Sequence, residues 1–488
     1  MPTRSPVLVG ASQLLQRVED PTTGAEPLAL MEQAARGAAE DCGAPGILEQ
    51  LDGIYVPRGL WGYTNPAAIL RERLGAPRAR TGMAPISGTM VQRMLAHAAC
   101  AIAAGRQQAV LIVGGEAERS KRRAWRAGVD LAWTDQPEST PDLDFGGESP
   151  FTNRVELTKG LTRPAAVFSL FENAMRHARG ESLHDHVRRI SELWAGFSKV
   201  SVDNPHAWSR APLSADEIAT PSPDNALVAW PYTKRMCANM VVDQAAALLI
   251  CSSRLADRLG IAPERRVYLH ASTEAAELPL LSNRKDFATA PELAQAGARA
   301  LELAGVSAAD VEHLDLYSCF PAAVALAQAE LGLDPGRRST VTGGLAFAGG
   351  PFNSYVLHST ASMIERLRAE PGARGLVTGV GGFFTKLAFS VLSSAPPPDG
   401  YRHEDVPRDE CVPRRVYHES YVGPARVETY ALHYSDGTPE ALTIACLTPD
   451  GGRTWAVSDE AGLLEAATQE ELCGRSAQVR EAGGIEVE

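Results

Sequence analysis

Long apolar runs, clustered cysteines and excess positive charge are all missing from this sequence of 488 residues. No stretch of 18 apolar residues occurs, so we expect no membrane-spanning helix. The eight cysteines are scattered without a CxxC pair, and the N-terminal stretch MPTRSPVLVG lacks a signal peptide's apolar segment. We therefore expect reduced thiols and a cytoplasmic protein. The net charge of −12 argues against nucleic acid as a partner, because phosphate binding requires a basic surface.

Two local features of the sequence, a basic segment and a histidine pair, differ from this overall composition. The segment ERSKRRAWR (118–126) carries five basic side chains beside a tryptophan. It is either a solvated surface loop or a patch for a phosphorylated small ligand such as a nucleotide tail. The pair His184 and His186 resembles part of a metal site, but no cysteine or carboxylate cluster accompanies it. We expect no metal.

Short apolar runs alternate with helical patterns along the first part of the chain. PVLVG (6–10) and DGIYVP (52–57) predict strands, and PLALMEQAARGAAEDCG (27–43) predicts an amphipathic helix. Residues 88–104 predict a strong helix, which the apolar strand AVLIVGG (109–115) follows. This alternation indicates an α/β fold of layered helices and sheets.

The chain also repeats itself at long range. The helix, strand and Gly-Gly pair of residues 88–115 are echoed by residues 353–382, which indicates a duplicated α/β half. Between the two copies, residues 118–235 hold most of the tryptophans and many prolines. Such a long excursion is often the place where a substrate is held.

A proline-rich stretch, SSAPPPDG (393–400), ends the second half. The sequence after it alternates apolar and polar residues between turns at SDG and PDGG, which predicts a small hairpin-rich β-domain, barrel-like in form. The predicted parts are an N-terminal half (1–117 and 236–262), a loop domain (118–235), a C-terminal half (263–395), a linker (396–400) and an additional domain (401–488).

Four motifs in order resemble those of the thiolase superfamily. They are MCANMVVDQAAALLICS (236–252), LDLYSCFP (314–321), GGLAFAGGPFNSYVLHS (343–359) and GLVTGVGGFF (375–384). The resemblance implies a duplicated thiolase fold, layered α-β-α-β-α, with a long loop domain. The additional domain is similar to the extra C-terminal domain of thiolase-like proteins of type 1, generally named acetyl-CoA acetyltransferases, and we expect it to be OB-like.

The resemblance also indicates which catalytic residues of a thiolase this chain lacks. A thiolase uses a nucleophilic cysteine, an activating histidine, a second cysteine and an oxyanion-binding group. The place of the nucleophile falls on Gly88, or on Pro85 in a shifted alignment. The histidine falls on Gly350, the second cysteine on Val380 and the oxyanion group on Tyr317. The usual Cys/His/Cys set is therefore expected to be absent.

Four other side chains are candidates for the chemistry. Tyr317 either donates a hydrogen bond to an enolate or is a buried structural tyrosine. Cys319, two residues on, is either an alternative nucleophile or an inert core thiol. Tyr355 and His358 lie three apart and share a helix face, where His358 is either a general base or a satisfied core histidine.

Glycines and one asparagine form the predicted floor of the site. A glycine-rich turn that opens a helix presents free N–H groups to a carbonyl or phosphate, or else is only a tight turn between packed elements. Asn353 is expected to cap the following helix. The predicted substrate-binding residues are Gly88, Gly349, Gly350, Asn353, Gly381 and Gly382.

Three functions stay open at this point. The first is acyl transfer, or making and breaking of a C–C bond, on a coenzyme A thioester in lipid metabolism. The second is retro-aldol cleavage of a 3-hydroxyacyl-CoA by tyrosines, as in the thiolase-like aldolases of steroid side-chain degradation, with the additional domain as the partner in cis. The third is a non-catalytic acyl-CoA or protein binding module. The resemblance further implies a homodimer and no tightly bound cofactor.

Overall fold

A computed structural model describes residues 4–146, 150–276 and 278–488. The N-terminal elements are β1 (Pro6–Leu15), α1 (Pro27–Asp41), β2 (Gly53–Pro57), α2 (Pro66–Arg73), β3 (Arg80–Ala84), α3 (Met90–Ala103) and β4 (Ala109–Ala117). The excursion then contributes α4 (Glu118–Ala127), β5 (Leu143–Asp144), α5 (Arg154–Thr158), α6 (Pro164–Arg179), α7 (Leu183–Asp203), α8 (Ala215–Ala219), β6 (Leu227–Ala229) and β7 (Tyr232–Thr233).

The chain then returns to the N-terminal half with β8 (Asp243–Ser252) and α9 (Ser253–Arg258). The second half again alternates strands and helices, with β9 (Val267–Ala275), α10 (Pro291–Ala304), β10 (His313–Asp315), α11 (Pro321–Glu330), α12 (Gly344–Phe347), α13 (Tyr355–Ala369), β11 (Arg374–Gly381) and β12 (Lys386–Ser393). The C-terminal part contains β13 (Arg402–Asp405), β14 (Gly423–Ser435), β15 (Thr438–Leu447), β16 (Arg453–Ser458), α14 (Ala461–Gln469), β17 (Ser476–Val479) and β18 (Ile485–Val487).

Among the described residues, eleven strands form one large mixed sheet in the order β10-β11-β12-β9-β1-β8-β4-β2-β3-β5, with β13 paired to β9. The two halves meet where Val7 and Leu8 of β1 pair with β9. Every residue of β4 and β8 is buried, as expected for central strands that read as continuous apolar runs. The layered α/β thiolase fold expected from the sequence is confirmed.

The two duplicated helices, α3 and α13, pack side by side on the middle of the sheet. Both bury most of their apolar side chains in one shared cluster with β8, β4 and β11. This arrangement brings the start of α3 close to the end of β11, because both elements converge on the same end of the sheet. The segment before α3, including Gly88, therefore lies beside Val380.

The small C-terminal sheet has the strand order β16-β15-β14-β17-β18, and β6 and β7 of the excursion extend it through β14. A C-terminal sheet domain is therefore present, whereas its likeness to an OB barrel stays a prediction. Its sheet begins later than residue 401, because β13 adds to the large sheet by pairing with β9. No helix among the described residues is long and apolar enough to cross a membrane.

Candidate functional site

Backbone hydrogen bonds join the first three sequence motifs at one place. The N–H of Ala238 donates to the carbonyl of Cys319 at 3.1 Å. The N–H of Gly350 donates to the carbonyl of Asn239 at 2.8 Å. The segment at residues 238–239 thus lies between the backbone at Cys319 and the glycine turn. The structure therefore brings together three motifs that lie far apart in the sequence.

Tyr317 occupies the position where a side chain at residue 88 would lie. A β-carbon built on Gly88 falls 2.7 Å from the Tyr317 hydroxyl oxygen and closer still to the carbonyl of Val380. The backbone N–H of Tyr317 donates to Thr378 Oγ1 at 2.8 Å, which fixes the residue against β11. Burial raises the pKa of the Tyr317 phenol, so the hydroxyl stays protonated at neutral pH. The site therefore presents a neutral phenol next to Gly88.

The hydroxyl of the second tyrosine, Tyr355, is hydrogen-bonded inside the protein. Tyr355 is 1% exposed, and its hydroxyl donates to Asp315 Oδ1 at 3.0 Å and is hydrogen-bonded to Thr342 Oγ1 at 2.8 Å. Its ring stands edge-on to the ring of Tyr317, with centroids 5.7 Å apart. Because the hydroxyl is engaged inside the protein, Tyr355 positions Tyr317 rather than facing a substrate.

Asp315 is the buried group around which this part of the structure is organised, and sequence reasoning did not single it out. Its carboxylate accepts hydrogen bonds from Thr340 Oγ1 at 2.9 Å, the N–H of Val341 at 3.0 Å and Ser359 Oγ at 2.8 Å, besides Tyr355. Burial raises its pKa, and these donors oppose that shift by stabilising the charged form. An aspartate directly before Leu-Tyr in LDLYSCFP was the available signal.

Cys319 lies close to Tyr317, as the two-residue spacing predicted, and both pack against the same apolar clusters. Burial raises the pKa of its thiol, with a smaller contribution from the neighbouring Cys237. Burial also raises the pKa of Cys237 to about 12, and that thiol donates to the carbonyl of Thr233 at 3.4 Å. A cysteine nucleophile needs a lowered pKa, so this environment does not activate Cys319.

His358 faces away from Tyr317. Its Nδ1 lies 3.1 Å from Gln13 Oε1 on β1, whose amide nitrogen in turn donates to Ser362 Oγ. The hydrogen bond to an acceptor requires the proton on Nδ1, and Nε2 is buried with no partner among the residues described. Burial lowers the pKa of His358 to about 3, with a smaller effect from His206. The structure therefore does not bring this predicted base to the site.

The glycine turn is used for packing. Gly349 has φ +107°, and a β-carbon there would collide with Gln244 Oε1. The N–H groups of Gly350, Phe352 and Ser354 donate to backbone carbonyls, so they are not available to a ligand. The satisfied donors favour the alternative interpretation, a tight turn between packed elements, for this part of the predicted site.

Asn353 does not cap the helix. The helix α13 begins at Tyr355 after a 3₁₀ turn at Phe352–Ser354, which moves residue 353 out of the capping position. Its side-chain amide instead donates to the carbonyl of Arg58 at 2.6 Å. Asn353 thus ties the glycine turn to the loop after β2.

The last two glycines lie beside the start of α3. A β-carbon on Gly381 would collide with Ser87 Oγ, and one on Gly382 would collide with Thr385 Oγ1 and lie 2.5 Å from Phe151 Cβ. The structure therefore places Gly88 against Tyr317 and Gly381 against Ser87, the residue before Gly88. It places Gly349, Gly350 and Asn353 on the other side of the segment 238–239.

The basic segment lies on α4, where several of its cations contact the protein itself. Arg119 and Arg123 donate to the carbonyl of Val18 at 2.8 and 3.1 Å, and Arg122 contacts Glu118 at 2.6 Å. Three of its cations thus hold the loop after β1 or their own helix, although Trp125 is 81% exposed. The phosphate-patch interpretation of this segment is not supported.

The two histidines of the LHDH sequence are also accounted for locally. His186 is buried between Glu172 at 3.0 Å and Glu181 at 2.7 Å, whereas His184 is exposed. No group of three or more potential ligands suited to a metal occurs among the described residues.

Comparison with known proteins places this geometry in a family. A model of the thiolase-like protein type 1 additional C-terminal domain matches residues 407–484. An acetyl-CoA acetyltransferase from Methanothermobacter thermautotrophicus is 23% identical over 389 residues, which cover 75% of this chain and 94% of that protein. The Ltp2-ChsH2(DUF35) aldolase is similar in fold, with a TM-score of 0.59 at 17% identity, over 80% of this chain and 98% of that one.

A further solved structure is similar to this chain over its whole length. It is a monomeric SCP2-thiolase like protein type 1 from Mycobacterium smegmatis, with a TM-score of 0.84 and 28% identity, covering 100% of this chain and 99% of that chain. Because that protein is monomeric, the predicted homodimer has no support. The match of the additional domain and the full-length structural similarity together support identification of this chain as a thiolase-like protein of type 1 with the additional C-terminal domain.

Proposed function

We propose that this protein makes or breaks a C–C bond on a coenzyme A thioester without an acyl-cysteine intermediate. The observation that carries the proposal is the Tyr317 hydroxyl, 2.7 Å from where a side chain on Gly88 would begin. By the thiolase resemblance, this is the place where the nucleophile acts. A phenol there donates a hydrogen bond to the thioester oxygen as it gains charge in an enolate. The coenzyme A thioester is the substrate, and no tightly bound cofactor is required.

The state of the phenol suits this role. Burial raises the pKa of Tyr317, which keeps the proton on the hydroxyl and makes it a donor over the whole neutral range. The edge-on ring of Tyr355, itself held by Asp315, restricts the orientation of the Tyr317 ring. A donor that is oriented before the substrate binds needs no reorganisation during the reaction.

Acyl transfer through a cysteine fits the same geometry less well. Gly88 has no room for a side chain, and the raised pKa of Cys319 leaves little thiolate at neutral pH. The name of the Methanothermobacter relative favours acyl transfer, whereas the aldolase with the same fold favours C–C cleavage. The lack of room for a side chain at Gly88 favours the second class.

The test is turnover of four coenzyme A thioesters, namely acetyl, acetoacetyl, long-chain 3-ketoacyl and branched 3-hydroxyacyl. We expect release of a ketone or aldehyde from the 3-hydroxyacyl-CoA. Tyr317→Phe should lower kcat by at least roughly 100-fold, the usual scale for losing a catalytic proton donor. Tyr421→Phe, which removes a phenol from the small domain, is the matched control and should leave kcat unchanged.

Other outcomes separate the alternatives. Full activity in Tyr317→Phe contradicts the proposal. Thiolysis of a ketoacyl-CoA that is lost in Cys319→Ala identifies Cys319 as a nucleophile and the protein as an acyltransferase. Binding of the thioesters without turnover of any of them identifies a binding module.

A further inference from the structure

A cavity of about 670 Å³ opens between α7, the loop at residues 335–340 and α13. This size lies within the range of small-molecule sites. Five of its lining side chains are cationic, namely Arg189, Lys199, Arg337, Arg338 and Arg366. Only Glu192 and Asp203 among the lining residues are acidic. The cavity is therefore strongly positive in a protein whose net charge is −12.

Three of these cations have no ion-pair partner within the described parts of the chain. Arg189 is held by Glu181 at 2.8 Å, and Arg337 donates to the carbonyl of Ala308 at 3.1 Å. Lys199, Arg338 and Arg366 converge from three different elements without such a contact. Like charges gathered in one concave surface raise the local potential and attract an anion.

The wall that α7 contributes to the cavity also carries apolar side chains. Leu193, Phe197 and Val200 follow one another at helical spacing on α7 and line the same space. Phe197 packs against the turn at Gly344, which holds that wall in place. Apolar side chains in the same cavity as unpaired cations suit a ligand with a flat ring at one end and several negative charges at the other.

We propose that this cavity binds a phosphorylated small molecule of nucleotide size. Arginine forks pair with phosphate through two parallel hydrogen bonds, so Arg338 and Arg366 would hold the phosphates and Lys199 would add a third charge. The ring would lie on Leu193 and Val200, which are partly exposed to the cavity. Two sources share this chemistry, the nucleotide end of a coenzyme A thioester and a free nucleotide. In the first case the inference rests on the proposed function.

The cavity borders the Tyr317 site without including it. Thr340 lines the cavity and donates to Asp315 Oδ2 at 2.9 Å. Asp315 in turn holds Tyr355, whose ring contacts Tyr317. The phosphate site and the catalytic phenol are therefore distinct places, which allows their tests to be separated.

The test is calorimetric titration of the full chain with 3′,5′-ADP, ADP and inorganic pyrophosphate. We expect saturable binding that weakens roughly tenfold or more in Arg338→Ala and in Arg366→Ala, as for loss of a charge-assisted contact. Arg126→Ala removes an exposed arginine from α4, outside the cavity, and should change Kd less than roughly twofold. Tyr317→Phe should bind as the wild type does, so failure of the catalytic proposal would not affect this result.

The comparison of ligands identifies the source. Tighter binding of 3′,5′-ADP than of ADP, with competition by acetyl-CoA, indicates the nucleotide end of coenzyme A. Tighter binding of ADP without that competition indicates a free nucleotide. The proposal is overturned if none of the three compounds binds at millimolar concentration, or if Arg126→Ala weakens binding as much as the cavity variants do.

Discussion

At the scale of single residues, Gly88 is required by the packing of Tyr317. A β-carbon there meets the Val380 carbonyl, which is backbone and cannot rotate away. We expect Gly88→Ala to lower the free energy of unfolding by about 1–3 kcal/mol, as other overpacked sites do. Chemical denaturation measures the free energy of unfolding of the wild type and of the variant. Gly46→Ala is the control, because a β-carbon there meets nothing within 4 Å. Equal stability of both variants would contradict the crowding seen at Gly88.

His358, which the sequence predicted as a base, should instead make the stability of the protein depend on pH in mild acid. In the unfolded chain His358 binds a proton near its ordinary pKa of 6.5, whereas in the folded protein its pKa is about 3. The unfolded state therefore binds more protons below pH 6.5, and stability falls as the pH falls through this window. Between pH 7 and pH 5 this group alone should cost roughly 2 kcal/mol.

The measurement is the free energy of unfolding at both pH values for the wild type, His358→Gln and His184→Gln. The first variant should lose less stability on acidification than the wild type does. The second removes an exposed histidine and should follow the wild type. A pH dependence unaffected by His358→Gln would show that the buried ring does become protonated in the folded protein.

At the scale of elements, the strand β16 fastens the small domain to the thiolase core. The fully buried guanidinium of Arg453 contacts both carboxylate oxygens of Glu428, at 2.6 and 2.7 Å. It also donates to the carbonyls of Leu281 and Arg284, both at 2.8 Å. The domain is thus joined to residues that follow β9 by charge-assisted bonds in a buried place.

Removing this arginine should be costly, because it leaves the Glu428 carboxylate without its buried partner. We expect Arg453→Ala to lower the free energy of unfolding by about 3–5 kcal/mol. Limited proteolysis should then cut more readily at residues 406–422, which connect β13 of the large sheet to β14 of the small domain. Arg475→Ala breaks an exposed pair with Glu470 and should cost less than about 1 kcal/mol. Similar losses in the two variants would show that Arg453 is not what holds the domain.

At the scale of the whole molecule, the edge of the large sheet is covered by the chain itself. Gly82 and Met83 of β3 pair with Leu143 and Asp144 of β5. The N–H of Thr81 donates to an Asp142 carboxylate oxygen at 2.7 Å. An edge strand whose groups are already paired offers no template for a second copy. We expect a monomer in sedimentation velocity experiments at all concentrations. A species of twice the monomer mass that increases with protein concentration would support the predicted homodimer instead.

Much of the fold follows from local patterns in the sequence. The helix expected over 88–104 is α3 at Met90–Ala103, and the strand expected over 109–115 is β4 at Ala109–Ala117. The helix expected from 353 starts two residues later, because Phe352–Ser354 form a 3₁₀ turn. The exact ends of helices and strands depend on tertiary contacts, which the periodicity of the sequence does not show. β13 was assigned to the small domain for the same reason, since only its pairing with β9 shows otherwise.

The sequence by itself determined the order of the motifs, the layered fold and the glycine at position 88, because residue identity and the periods of 3.6 and 2 are local properties. Only the tertiary structure decided which side chains share a site. Tyr317 reaches Gly88, while His358 turns to Gln13, 345 residues away in the chain. Side-chain direction is set by the elements packed against each residue. Close packing of distant segments therefore decides where the chemistry lies.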